Sequence, residues 1–105
     1  MKEVYSFDIA SAMEERAAIE TIKTLLPHYQ WRTGDSDAQG PYVSGLAPDG
    51  TNVKIWVGER PFEMSVSFSL MPKDVENRED KKRAGLEHLS TVLAALGKVV
   101  DVIRY

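Results

Sequence analysis

The chain contains no cysteine. That absence excludes disulfides, thiolate zinc sites, iron–sulfur ligation and cysteine nucleophiles together, and it fits a reducing, cytoplasmic location. Long apolar runs are missing as well. No stretch approaches the roughly 18 apolar residues that a membrane span needs, and Glu3 and Asp8 interrupt any signal-peptide core near the N-terminus. Basic residues are outnumbered, 13 against 16 acidic, for a net charge of −3. A field of that sign draws in neither nucleic acid nor an anionic membrane. Internal repeats, low-complexity tracts and linkers are absent too.

What remains fits one globular domain over residues 1–105, 43% hydrophobic and 28% charged. Tyr5, Phe7 and Ile9 alternate with Ser6 and Asp8, the period of a half-buried strand. Ser11 and Glu14 have the spacing of a capping box, and Ala18, Ile19, Ile22, Leu25 and Leu26 continue as a helical stripe up to Pro27. The spacing predicts a first helix over about residues 12–26. A short strand at Tyr29–Arg32 follows, and the polar segment from Thr33 to Pro41 reads as the longest loop.

Three strand-like runs come next. Val53, Ile55 and Val57 alternate with Asn52, Lys54 and Trp56; beyond a turn at 58–61, Phe62, Met64, Val66, Phe68 and Leu70 alternate with Glu63 and three serines. A four-residue turn opposes Val57 to Phe62, Ile55 to Met64 and Val53 to Val66, so apolar meets apolar on one face. The preceding hairpin turns at Pro48-Asp49-Gly50. Its register stays open. A two- or four-residue turn puts Tyr42, Ser44 and Leu46 on the core face, and a three-residue turn with a bulge at Gly50 puts Val43, Gly45 and Ala47 there. The charged segment from Pro72 to Arg83 leads into a second helical stripe of Leu86, Leu89, Val92, Leu93 and Leu96, with Gly97 as its C′ residue. Val99–Tyr105 is a last strand, apolar on both faces, which implies an inner place in the sheet beside the first strand. The expected fold is α+β: a two-layer sandwich related to the split βαβ folds, with a largely antiparallel sheet of five to six strands and two helices on one face.

Catalytic motifs are scarce. Asp35, Asp37 and Gly40 copy the start of a calcium loop, but its twelfth position is Leu46 rather than Glu. The run Gly45–Thr51 has the glycine spacing of a phosphate loop without its lysine and opens a strand instead of a helix. His28 and His88 have no histidine at metal-ligand spacing and read as capping or surface residues. No G-x-S-x-G elbow and no RNP string occurs. Neither catalytic, metal nor cofactor residues can be assigned, and the balance leans away from an enzyme.

Trp56 breaks the polar series Asn52, Lys54, Trp56. A tryptophan there marks a binding surface, or else it is covered by the 33–41 segment or by Trp31. The candidate surface comprises Trp56, Tyr42, Lys54, Glu63, Arg32, Asp35 and Asp37. The stretch Trp31-Arg32-Thr33-Gly34-Asp35-Ser36-Asp37, continuing through Gly40, Tyr42 and Gly45 to Asp49-Gly50, resembles segments of small bacterial α+β proteins of the immunity-protein type. The resemblance covers roughly a third of the chain and carries no functional residues across. It implies a cofactor-free cytoplasmic module that binds a protein partner. Two alternatives stand beside it: a small-ligand or metal-binding protein or minor enzyme using the 33–41 loop, and a self-associating structural protein, such as a homodimer.

Overall fold

A computed structural model describes residues 3–102. The order is β1 (Val4–Ala10), α1 (Glu15–Leu25), β2 (Gln30–Ser36), β3 (Gly40–Leu46), β4 (Asn52–Trp56), β5 (Phe62–Ser67), α2 (Arg78–Leu93) and β6 (Lys98–Val102). The strands form one six-stranded antiparallel sheet in the order β2-β3-β4-β5-β1-β6. The expected α+β sandwich is the observed one.

Alternation divides the sheet. Val53, Ile55, Val57, Phe62, Met64 and Val66 are buried with Phe7, Ile9 and Val43, in one cluster with Ala18, Ile22 and Leu26 from the first helical segment and Leu89, Leu93 and Leu96 from the second. Burying each large side chain stabilises the fold by about 1.5–3 kcal/mol, so the helices hold to this face. Ile55 faces Met64 and Val53 faces Val66, the pairing that the alternation predicts.

Several expectations need correction. The helix α1 begins at Glu15, and Glu14 is itself the N-cap, accepting the Ala17 N–H at 2.8 Å; Ser11 Oγ instead accepts the Met13 N–H at 3.1 Å. The 33–41 segment is no loop: Thr33–Ser36 belong to β2, which pairs with β3 along its length. The phenol of Tyr42 lies over Gly34, where a Cβ would approach within 2.5 Å. An aromatic covering a strand glycine restores the packing that glycine lacks, which is how a segment of low strand propensity joins the sheet.

The open register resolves to the three-residue turn. The Ala47 N–H donates to Thr51 O, Gly50 adopts φ +95°, and Gly45 opposes Val53 on the core side. A Cβ at Gly45 would meet the Trp31 indole at 2.4 Å, so this register lets Trp31 lie flat on the core side of the sheet. There it stacks on Tyr29 with ring centres 5.3 Å apart and donates from Nε1 to Leu26 O at the end of α1.

The helix α2 ends at Leu93, and Leu96 is buried from the turn beyond it. Gly97 is not a left-handed C′ residue, since positive φ among the glycines occurs at Gly40 and Gly50. Its role is close approach: a Cβ there would lie 1.8 Å from Ala10 O. The last strand β6 does lie beside β1, but at the sheet edge rather than inside it; its Val100 is 44% exposed. Residues 103–105 of the expected strand lie outside the described residues.

Gly97→Ala places a methyl group against backbone that cannot rotate away. It should destabilise the protein by about 3 kcal/mol, the upper range for overpacking, read as a lowered urea midpoint with unchanged m-value.

Candidate functional site

Among the described residues no helix covers the reverse side of the sheet. Two cross-strand rows occupy its middle. One runs Gly34, Tyr42, Trp56, Glu63, Asp8, each residue the register partner of the next. The other runs Arg32, Ser44, Lys54, Ser65, Ser6. Both rows follow from the period of two: on β1, β3, β4 and β5 their residues alternate along the strand with residues of the core face. Tyr42, Trp56, Lys54 and Glu63 are half-buried, and Arg32 is exposed.

The aromatic pair is organised by a cation. Lys54 Nζ lies 4.2 Å from the centre of the Tyr42 ring and 4.9 Å from that of Trp56. An ammonium over two aromatic faces is worth about 0.5–1 kcal/mol at an exposed site, enough to restrict both rings. Glu63 accepts a hydrogen bond from Gln39 Nε2 at 2.7 Å. Gln39 comes from the tight turn of the β2–β3 hairpin, and together with Trp56, Glu63, Ser6, Met64 and Ser65 it lines a shallow cavity of ≈ 250 Å³.

The structure thus brings together Tyr42, Lys54, Trp56 and Glu63, with Arg32 two strands away from Lys54 in its row. It separates the other two candidates. Asp35 pairs with Pro41 and shares the helix-facing parity of Thr33 and Val43, so it stands on the opposite side from Trp56. Asp37 is exposed in the hairpin turn. The calcium-loop reading gains no support here: Asp35 is paired with Pro41 inside an extended strand and Asp37 lies in the tight hairpin turn beyond it, so the segment is not wound as a calcium loop. Among the described residues no group of three or more His, Cys, Asp or Glu is placed to hold a metal. Trp31 cannot cover Trp56, since it lies on the core face. Gln39 was missed by the sequence reading; its contact with Glu63 exists only once the hairpin folds over β4.

No family model matches this chain, and no curated protein matches it. The assignment of a site therefore rests on geometry.

A second polar cluster lies at the far end of the molecule. The Glu3 carboxylate accepts from Lys73 Nζ at 2.6 Å, from the Arg78 guanidinium at 2.8 and 3.1 Å, and from Lys82 Nζ at 3.0 Å. Arg78 also donates to Phe68 O and Met71 O, and Lys82 pairs with Glu79 at 3.0 Å. The side chain of Lys82 is only 2% exposed. Arg78, then Lys73 and Lys82, hold the Glu3 carboxyl far below the usual carboxylate range. The same bond to Glu3 raises Arg78. Burial works against the charge of Lys82, but its hydrogen bonds to Glu3 and Glu79 outweigh this and raise its pKa. An open depression of ≈ 590 Å³ lies beside the cluster. Its cations already converge on Glu3, so the cluster ties β1 to the 68–78 segment and α2 rather than offering an anion site. The charged character of residues 72–83 was legible; the convergence of Lys73, Arg78 and Lys82 on Glu3, 70 or more residues away, was not.

The sign of the pH dependence follows. A carboxyl with a lowered folded pKa stabilises the fold above its ordinary value of 4.5, and that contribution is lost as pH falls from there through the folded pKa. Glu3→Gln should therefore lower the urea midpoint at pH 7, and the gap to the parent protein should shrink steadily below pH 4.5. A gap independent of pH down to about 2 would exclude the ionised latch.

Proposed function

We propose that this protein is a non-enzymatic protein-binding module, of the immunity type that its sequence resembles, and that it binds through the uncovered sheet face. The observation that carries the reading is the Tyr42–Trp56 pair, directly opposed on β3 and β4 with Lys54 over both rings. Tryptophan and tyrosine are enriched in interface hot spots, and here the two lie side by side on the uncovered sheet face with polar residues around them. Their strands are clamped by the core beneath, so few rotamers remain to be ordered when a partner arrives. Glu63 and Asp8 continue the aromatic row. Two carboxylates there disfavour a phosphate backbone and favour a mixed-charge protein surface.

The small-ligand alternative placed its site between a 33–41 loop and the open sheet. That segment is a paired hairpin, and the cavity beside Trp56 is ≈ 250 Å³, below the usual range of about 300–1,000 Å³ for small-molecule sites. Supporting residues for that reading are fewer.

Trp56→Ala and Tyr42→Ala test the proposal against the parent protein. Both residues are outside the core, so each variant should keep its fold by circular dichroism and lose at most about 1 kcal/mol of stability. Each should weaken binding to the cognate partner at least tenfold, measured by titration calorimetry once proximity labelling with the parent chain has identified that partner. Full affinity in the folded Trp56→Ala variant would remove this face from consideration.

A further inference from the structure

The two histidines, 60 residues apart in sequence, meet in space. His28 stands just beyond the end of α1, and His88 lies in the middle of α2. Their ring centres are 6.3 Å apart, with planes inclined at 50°. Both side chains are exposed. His28 is held on its other side by Tyr29, edge to face with ring centres 4.8 Å apart.

We propose that His28 and His88 form a two-imidazole site for a divalent late first-row transition metal ion, Ni²⁺, Cu²⁺ or Zn²⁺, which links the C-terminal end of α1 to α2. Imidazole nitrogen is the common donor for these ions. An ion about 2.0–2.1 Å from one nitrogen of each ring puts the ring centres roughly 5–6 Å apart, so the observed 6.3 Å closes with a small rotation of two exposed side chains. Tyr29 limits how far His28 must be ordered. Among the described residues no third His, Cys, Asp or Glu joins the pair. Water or an exogenous donor takes the remaining positions, which makes this an open site rather than a closed structural one.

The site is independent of the proposed binding face: the pair sits on the helical layer, on the opposite side of the sheet from Trp56. Its test uses the full chain with Ni²⁺ or Zn²⁺ as the only added species. Titration calorimetry at neutral pH should show one ion per chain with micromolar to tens-of-micromolar affinity. His28→Ala and His88→Ala should each weaken binding at least tenfold, and the double variant should be little weaker than either single one, because one ring alone no longer chelates. With Cu²⁺, electron paramagnetic resonance should show two imidazole nitrogens in the parent protein and one in each single variant. No binding below millimolar metal, parental affinity in either single variant, or a spectrum with one nitrogen in the parent would each overturn the proposal. Both substitutions are at exposed positions, and unchanged circular dichroism shows that lost binding is not lost fold.

Discussion

The period of two along β4 and β5 is the constraint on which the rest of the molecule depends. Val53 and Ile55 oppose Val66 and Met64 across the hairpin, Val57 and Phe62 continue the alternation at its turn end, and all six are buried. Once these side chains lie on one face, both helices must cover that face, because neither helical stripe has another apolar surface to pack on. Asn52, Lys54 and Trp56 are sent to the other side by the same geometry, whatever their own preferences. The candidate surface is thus the geometric complement of the core, which is why an indole can sit among polar neighbours.

Two polar arrangements of different character sit on this frame. The Glu3 cluster gathers three cations around one carboxylate, with Lys82 almost wholly withdrawn from water. Removing either partner of such a pair leaves a charge uncompensated, so the cluster specifies how the N-terminal strand and the approach to α2 dock together. The Tyr42–Lys54–Trp56 group is looser. Its contacts are cation–π rather than ionic, and it remains partly open to solvent. The first arrangement is spent inside the fold, whereas the second leaves aromatic surface available to a partner.

Glycine decides more of the backbone than its number implies. At Gly45 the missing Cβ admits the Trp31 indole, and at Gly97 it admits the end of β1. Neither position needs a left-handed backbone. Each needs an absent methyl group, and that requirement is invisible without knowing what lies opposite. It explains why a helix-terminating glycine was the natural reading of Gly97 and why the structure gives it another role.

Local periodicity was enough to determine the fold class, the pairing of β4 with β5, the presence of both helices and the placing of Trp56 away from the core. These depend on residues a few positions apart, and a side chain's face follows from its parity. Tertiary structure alone decided the rest. The hairpin register turned on whether Trp31 could lie over Gly45. The 33–41 segment became strand because Tyr42 covers Gly34 and β3 supplies its hydrogen bonds. The last strand reads as an inner one, yet it forms the sheet edge. Asp35 and Asp37 parted from Trp56, and His28 met His88. Each of these outcomes depends on contacts between residues distant along the chain, where neither propensity nor spacing carries information.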